Sequence, residues 1–197
     1  MWNERFSAPG YLFGTEPAQF LLEHQSYFKP GKTALVVADG EGRNSVFMAG
    51  LGVDVTAMDS SDVAVEKARA LALAKKVEVD FNLSDIAKWD WGAKTYDLVV
   101  GVFIQFTGPE ARVAQFEGMK RAVKPGGILM LHGYTPNQLE FGTGGPPYVE
   151  NLYTEEILRA AFDDFEIARL HSYEREIDEG EGHSGMSALI DLIAVKS

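Results

Sequence analysis

VVADGEGRN, at residues 36–44, joins the end of a β-rich run to the start of a segment with a helical pattern. Gly40 and Gly42 carry no Cβ, so the backbone there can turn sharply and approach a ligand closely. The N-terminus of the following helix offers unpaired N–H groups and the positive end of its dipole to a carboxylate or phosphate. The stretch therefore predicts a strand, a glycine loop and a helix. A tight turn without a ligand is the alternative interpretation.

Segments of β-rich and helical pattern alternate around this loop. The predicted strands are 33–38, 53–58, 77–82, 96–103 and 128–132. The predicted helices between them are 43–50, 62–75 and 109–123. Strands separated by helices form βαβ units with right-handed crossovers, so the pattern predicts a parallel sheet.

The two ends of the chain depart from this alternation. Residues 1–30 are predicted to be a partly helical lead-in or lid, with a helix starting at Thr15-Glu16-Pro17. Residues 134–151 contain three Gly and three Pro without periodicity, and this length of loop is typical of a substrate loop or lid. A helix at 154–161 and two strands at 165–173 and 187–195 follow.

Adjacent strands joined by a short segment pair antiparallel, so the chain is predicted to end in a hairpin. We therefore predict an α/β fold, a Rossmann-like three-layer sandwich. Its mostly parallel, seven-stranded sheet ends in a C-terminal antiparallel hairpin. One domain is expected over residues 1–197.

A candidate binding residue follows the second predicted strand. Parallel α/β sheets bind ligands outside the carboxyl ends of their strands. Asp59 lies there, nineteen residues after Gly40, where an acid about 20 residues beyond a glycine loop accepts hydrogen bonds from a ribose. A helix cap shared with Ser60 and Ser61 is the alternative. In the G-x-G-x-x-G pattern of nicotinamide-dependent enzymes, the position of the third glycine is occupied here by Ser45. A nicotinamide-dependent reductase is therefore the weaker hypothesis.

Composition restricts partners and location. The net charge of −11 and the absence of a basic stripe argue against nucleic acid as a partner. No apolar run approaches the ~20 residues of a membrane helix, and the first residues have no secretory pattern. The chain has no cysteine, which excludes disulfides, thiolate zinc sites and a cysteine nucleophile. No membrane partner and a cytoplasmic location are predicted, while the oligomeric state stays open.

Five elements in this order resemble the class I S-adenosylmethionine-dependent methyltransferases, over nearly the whole chain. They are the Gly40/Gly42 loop, Asp59, the SDI sequence at 84–86, YDLVV at 96–100 and VKPGG at 123–127. Within that superfamily the chain is similar to the tellurite-resistance and thiopurine methyltransferase-like group. GEGRN at 40–44 and the N-terminal pattern Trp2…Tyr11…GTEP at 14–17 carry this second resemblance.

The resemblance implies that S-adenosylmethionine is the cosubstrate, and it assigns residues to the methionine end. Gly40 and Gly42 are expected to pass close to the methionine and ribose portions. The Phe103 backbone is expected to line the methionine end. The family often has an acid and a glycine where this chain has Val36 and Ala38, so the contact to the amino group must come from elsewhere.

The same resemblance assigns the nucleoside end. Asp59 is expected to hold the two ribose hydroxyls, with Ser60 beside the adenine. Asp85 is expected to accept a hydrogen bond from the adenine N6 group, while the Ile86 backbone donates to the ring. An ordinary loop aspartate is the alternative for Asp85.

Methyl transfer from a sulfonium is an in-line displacement, so the protein mainly has to position the reactants. The acceptor is predicted to be a small molecule, and the catalytic residues stay unknown. A general base is required only if the acceptor must lose a proton. His132, at the end of the fifth predicted strand, is the better candidate for a base. His183 is predicted to lie in a solvated hairpin tip, and no metal site is expected.

Two further points concern the acceptor. Many relatives have a histidine where this chain has Gln105, so a step that depends on an imidazole there is excluded. Aromatic residues of the lead-in and the long loop are candidate walls of an acceptor pocket: Tyr11, Phe13, Tyr134, Phe141 and Tyr148. A non-catalytic regulator that binds S-adenosylmethionine or a nucleoside is the alternative function.

Overall fold

The computed structural model describes all residues, 1–197. The chain divides into two compact units. The first comprises Met1–Trp89 and Glu179–Gly182, and the second comprises Asp90–Asp178 and His183–Ser197.

The first unit contains three parallel strands in the order β3-β2-β1. The strands are β1 (Thr33–Val37), β2 (Asp54–Asp59) and β3 (Asp80–Leu83). Its helices are α1 (Trp2–Phe6), α2 (Gln19–Glu23), α3 (Arg43–Gly50) and α4 (Asp62–Lys75), with a 3-10 turn at Gln25–Tyr27. The strand β1 is buried over its last four residues, as expected for a strand covered on both faces.

Helix α4 is the most regular helix of this unit, and its bounds are those predicted. Ser61 caps its start, since its hydroxyl accepts a hydrogen bond from the Ala64 N–H. Lys76 closes it in the left-handed conformation. Small and aliphatic residues form its buried face: Ala64, Val65, Ala68, Leu71 and Ala72.

Gly42 allows α3 and α4 to pack closely. A Cβ at Gly42 would lie 2.7 Å from the Ala68 Cβ and 2.9 Å from its Cα, and the Gly42 φ is +90°. We expect Gly42→Ala to lower the free energy of unfolding by about 2 kcal/mol, through steric overlap and backbone strain. Urea denaturation measures the change.

Gly50 supplies the matched control, because it lies in the same helix and a Cβ there would meet no atom within 4 Å. Gly50→Ala is expected to be neutral or stabilising by about 0.5–1 kcal/mol. Equal losses for both variants would contradict the packing explanation.

The predicted helix start at Thr15 is wrong. Helix α2 begins at Gln19, and Ala18 is its N-cap without a side-chain hydrogen bond. The first N–H groups instead bond to distant side chains: Ala18 N donates to Asn44 Oδ1 at 3.0 Å and Gln19 N to Glu179 Oε1 at 3.1 Å. Tertiary contacts therefore replace the local cap that the sequence pattern indicated.

The second unit contains four strands in the order β4-β5-β7-β6. They are β4 (Tyr96–Val102), β5 (Val123–Tyr134), β6 (Phe165–Asp178) and β7 (Ser184–Lys196). Strands β4 and β5 are parallel, and β7 pairs antiparallel with both β5 and β6. The helices are α5 (Pro109–Ala122), α6 (Gln138–Phe141) and α7 (Glu155–Ala161), with a 3-10 turn at Val149–Asn151.

The predicted fold class is confirmed: seven strands form a mostly parallel sheet that ends in an antiparallel hairpin. Strands β6 and β7 are longer than predicted, and the turn between them is shorter. Residues 174–178 belong to β6, an antiparallel strand along which more and less exposed positions alternate in part, as expected when one face of the strand meets solvent. None of the helices combines the length and the hydropathy that a membrane span requires.

Candidate functional site

The carboxyl ends of β1, β2 and β3 meet at one edge of the first unit. Val37 pairs with Met58, and Asp59 pairs with Leu83. The parallel register therefore brings together the glycine loop, the residues after Asp59 and the turn that contains Asp85. These are the positions that the sequence predicts for a nucleoside ligand.

The glycine loop has a left-handed backbone at three places. The φ angles are +49° at Ala38, +64° at Gly40 and +90° at Gly42. Ala38 has a Cβ, so its left-handed backbone conformation is strained, unlike that of the two glycines. Gly40 keeps open space on one side, since a Cβ there would meet only the Phe6 ring, at 3.6 Å. The loop leads into the first turn of α3, where Asp39 accepts from the Ser45 N–H and the N–H groups before Ser45 have no partner within the helix, so that they favour a negatively charged ligand group.

Asp59 anchors this loop. Its Oδ2 accepts a hydrogen bond from Gly40 N and its Oδ1 accepts one from Ser61 N, both at 2.9 Å. Burial raises the pKa of the Asp59 carboxyl, against the backbone hydrogen bonds, which lower it. No Lys or Arg lies within ion-pair distance of the carboxylate. A carboxylate has about four lone-pair sites, so beside the backbone bonds from Gly40, Ser60 and Ser61 it can still accept a hydrogen bond such as a ribose hydroxyl would supply.

The other predicted nucleoside contacts lie at the same edge. Ser60 and Asp85 are exposed, and Ile86 is half-buried. Asp85 Oδ1 accepts a hydrogen bond from Ala87 N at 2.8 Å, which fixes the turn. Their contacts with an adenine stay predictions.

A second acid beneath the loop was missed by the sequence interpretation. Asp39 is 8% exposed, and its carboxyl accepts hydrogen bonds from the Ser45 hydroxyl at 2.5 Å and from Ser45 N at 3.3 Å. Burial, with the nearby Asp59 charge, raises its pKa to about 7 although the Ser45 bonds lower it. An acid directly before Gly40 was visible in the sequence, but its burial was not.

The N-terminal segment lies over the glycine loop. Leu12 N donates to Glu41 Oε2 at 2.7 Å, and Lys67 Nζ forms an ion pair with Glu41 at 3.0 Å. The same ammonium donates to the carbonyls of Ala8 and Gly10. Charged groups of the loop and of α4 therefore hold residues 8–12 in place.

Arg43 and Glu179 form a buried ion pair in the same unit. Their N–O distance is 2.8 Å, and both side chains are almost fully buried. Glu179 also accepts the bond from Gln19 N, and Arg43 donates to the Glu16 carbonyl. This pair therefore links the glycine-loop helix, the N-terminal segment and residue 179.

In the second unit, Phe103 follows the carboxyl end of β4 with a φ of +54°. An aromatic residue in the left-handed region is rare, and such strain concentrates at functional sites. The ring lies against three others: His183 at 4.0 Å, Tyr134 at 4.7 Å and His132 at 4.9 Å between centroids. Phe103 N also donates to the His132 carbonyl at 2.8 Å. The contact of its backbone with a methionine end stays a prediction.

The prediction of a solvated His183 is wrong. The side chain is 8% exposed, stacks on Phe103 and bonds through Nδ1 to the Tyr134 hydroxyl at 2.6 Å. Gln105 holds the Tyr134 backbone in turn, because its amide donates to the Tyr134 carbonyl and accepts from the Tyr134 N–H. His183 is therefore buried by contacts with residues that are distant in the sequence, and the composition of residues 178–185 does not reveal them.

His132 is paired with an acid that the sequence interpretation did not identify. Its Nδ1 lies 2.7 Å from Asp191 Oδ1, and both side chains are buried. Arg169 and Tyr173 donate to the same carboxylate at 2.9 and 3.0 Å. Burial opposes ionisation of Asp191, but these partners outweigh it and hold its pKa below the ordinary value. No cluster of three or more histidine and acidic groups is arranged to hold a metal ion.

Comparisons with known proteins find similarity to methyltransferases. A family model described as a methyltransferase domain matches residues 34–127. The ribosomal protein L11 methyltransferase of Dictyoglomus turgidum is 31% identical over 137 residues, 67% of this chain and 44% of the relative. The demethylmenaquinone methyltransferase of Paenarthrobacter aurescens is 31% identical over 132 residues, which are 67% of this chain and 47% of that relative. The matched part of the chain thus spans about half the length of these curated relatives.

Solved structures share the fold. TehB from Haemophilus influenzae superposes with a TM-score of 0.73 at 20% identity, over 91% of this chain and 62% of that one. The magnesium protoporphyrin IX methyltransferase of Synechocystis PCC 6803, with bound S-adenosylmethionine, superposes with a TM-score of 0.66 at 21% identity. The superposition covers 90% of this chain and 75% of that one. At these identities the likeness concerns the fold.

Proposed function

We propose that the chain is a class I S-adenosylmethionine-dependent methyltransferase, as the methyltransferase-domain match over residues 34–127 supports, and that it transfers the methyl group of S-adenosylmethionine to a small-molecule acceptor. The observation that carries the proposal is the edge of the first unit, where the left-handed glycine loop and Asp59 are bonded together. S-adenosylmethionine supplies a methyl group already activated by a sulfonium.

The residues of the first unit fit this cosubstrate. Gly40 and Gly42 are expected to lie along its methionine and ribose portions, and the first turn of α3 suits its carboxylate. Asp59 is expected to accept from the ribose hydroxyls, and its bond to Gly40 N supports this role by fixing the loop beside it. For the adenine, the proposed contacts are Ser60, Asp85 and Ile86. The Asp59 carboxylate, which two backbone N–H groups stabilise, is proposed to supply negative potential to a ligand that carries positive charge.

These residues contribute to catalysis by binding and orientation. Alignment of the reacting groups contributes about 7–11 kcal/mol to reactions of this kind. The N-terminal segment, with Leu12 bonded to Glu41 and Phe6 packed against Gly40, is proposed to exclude water from the loop. A covered glycine loop supports a small acceptor, although four of the curated relatives bear the name ribosomal protein L11 methyltransferase.

Asp59→Asn tests the cosubstrate assignment. We expect the affinity for S-adenosylhomocysteine to fall at least about tenfold, which is about 1.4 kcal/mol, because a neutral amide accepts less strongly from ribose hydroxyls and releases Gly40. Isothermal titration calorimetry measures the affinity. The control is Asp62→Asn, an exposed acid three residues away that bonds only to the Val63 N–H.

If Asp59→Asn binds S-adenosylhomocysteine as tightly as the wild-type protein does, Asp59 does not hold the ribose hydroxyls. Binding of NAD in place of S-adenosylhomocysteine by the wild-type protein would instead favour a reductase. A screen of phenols, thiols, selenite and tellurite, with ribosomal protein L11 as a separate arm, then distinguishes the acceptors through S-adenosylhomocysteine formation. Binding without product from any acceptor would favour the regulatory alternative.

A further inference from the structure

Residues 2–10, which we call the N-terminal cover, contact the part of the first unit that is assigned to the ribose. The Phe6 ring is buried and packs against Gly40, where a Cβ would lie 3.6 Å from it. The Asn3 Oδ1 accepts a hydrogen bond from the Ser61 hydroxyl at 2.6 Å. Gly40 and Ser61 both donate backbone hydrogen bonds to the carboxylate that is assigned to the ribose hydroxyls. The cover therefore contacts two of the backbone partners of that carboxylate.

One ammonium group holds the end of the cover. Lys67 Nζ, in α4, donates to the carbonyls of Ala8 at 2.9 Å and Gly10 at 2.7 Å. It donates a further hydrogen bond to Glu41 Oε1 at 3.0 Å. A lysine ammonium has three N–H donors, so these bonds use all of them. The Glu41 carboxylate is almost fully buried and needs a charged partner, so it orients the ammonium toward the cover.

The chain directly after the cover is fixed independently of Lys67. Leu12 N donates to Glu41 Oε2 at 2.7 Å, and the Leu12 carbonyl accepts from Gly182 N at 3.2 Å. Gly10, two residues earlier, has a φ of +81°, and a Cβ there would meet no atom within 4 Å. Gly10 therefore has the backbone freedom and the space that a hinge requires.

The cover itself has little internal stability. Residues 7–10 are exposed, and α1 has five residues and no side-chain hydrogen bond at its N-cap. Helices this short are unstable in isolation, and segments with few buried contacts open at low free energy. Closure of the cover therefore depends on its contacts with the rest of the unit, among which the hydrogen bonds of Lys67 are strengthened by charge.

We propose that the cover opens to admit S-adenosylmethionine and closes over it, and that Lys67, oriented by Glu41, is the positioning residue that holds it closed. This inference rests on the proposed function. A ligand at the assigned ribose position lies beneath the closed cover, so it enters and leaves only while the bonds of Lys67 to the cover are broken. Because these bonds involve no ligand atom, they slow entry and exit by the same factor and leave the affinity nearly unchanged.

Lys67→Met tests the proposal, because methionine keeps an unbranched apolar side chain and removes the ammonium. We expect the association and dissociation rate constants of S-adenosylhomocysteine both to rise about tenfold, while the Kd changes by less than about twofold. Surface plasmon resonance with the immobilised protein measures both rate constants. Damage to the binding site has a different signature, since it accelerates dissociation without accelerating association and weakens the affinity.

Lys67→Met/Glu41→Gln is the second variant. It removes both charges, so no carboxylate is left buried without a partner, and the glutamine can still accept from the Leu12 N–H. This variant should show the same parallel rise in the two rate constants. It decides the question if Lys67→Met does not fold.

Lys75→Met is the matched control. Lys75 lies in the same helix but is exposed, so its replacement should leave both rate constants unchanged. Hydrogen exchange gives a second measurement that needs no ligand. The amides of residues 2–10 should exchange faster in Lys67→Met than in Lys75→Met, while those of β1 should exchange equally in both.

Four results would overturn the proposal. They are unchanged rate constants in the variants of Lys67, faster dissociation without faster association, the same change in Lys75→Met, or unaltered hydrogen exchange of residues 2–10. The proposed function itself fails differently, since the wild-type protein would then not bind S-adenosylhomocysteine at all.

Discussion

Glu179→Gln should lower the free energy of unfolding by about 3–5 kcal/mol, the usual effect of removing one partner from a buried ion pair. The glutamine would remove the ion-pair partner that the buried Arg43 guanidinium has in the wild-type protein, where the N–O distance is 2.8 Å. The acceptor for the Gln19 N–H would also weaken, so the first turn of α2 should become less stable. Chemical denaturation at neutral pH, with hydrogen exchange of residues 18–23, measures both effects.

Glu181→Gln is the control for this experiment. Glu181 is two residues away and exposed, so its replacement should change the stability by less than about 0.5 kcal/mol. The double variant Arg43→Met/Glu179→Leu removes both charges and should recover much of the loss. If Glu179→Gln is as stable as Glu181→Gln, the pair does not stabilise the fold.

Asp39→Asn should raise the stability at neutral and alkaline pH. The pKa of Asp39 is about 7 in the folded protein and 3.8 as an unperturbed group, so the folded state binds more protons between these values. Stability must therefore fall as the pH rises from about 4 to about 7, by at most about 4 kcal/mol. An asparagine mimics the protonated acid and can still bond to Ser45.

The gain from Asp39→Asn should be fully present above pH 7 and should vanish near pH 4. Thermal unfolding of both proteins across this pH range provides the measurement. Asp62→Asn, which removes an exposed acid, should show no comparable gain. A destabilised Asp39→Asn at pH 8 would mean that the Ser45 hydrogen bonds need the ionised carboxylate more than burial opposes it.

Local patterns predicted the elements that depend on local interactions. Helix α4 has the predicted bounds because its apolar face, its Ser61 cap and its left-handed end are all properties of neighbouring residues. The strand–loop–helix unit around Gly40 was likewise predictable, since only glycine adopts its φ without strain. The order of such units predicted the α/β class, and the resemblance to the class I S-adenosylmethionine-dependent methyltransferases implied the cosubstrate.

Predictions failed where distant residues replaced local partners. The start of α2 moved to Gln19 because Asn44 and Glu179 accept its first N–H groups. His183 is buried because Phe103, which follows β4, and Tyr134, at the end of β5, both contact it. The sequence within a few residues of Gln19 or of His183 does not indicate these contacts, because their partners are far away in the chain.

The sequence by itself determined the α/β class and the residues at the strand ends, above all the Gly40 loop and Asp59. Strand alternation and backbone freedom are local properties, and parallel connections have one handedness. Only the tertiary structure decided that Asp39 is buried, that Arg43 pairs with Glu179 and that His132 faces Asp191. These pairs join residues far apart in the chain, and their energies depend on burial and strand register, which arise when the chain is packed.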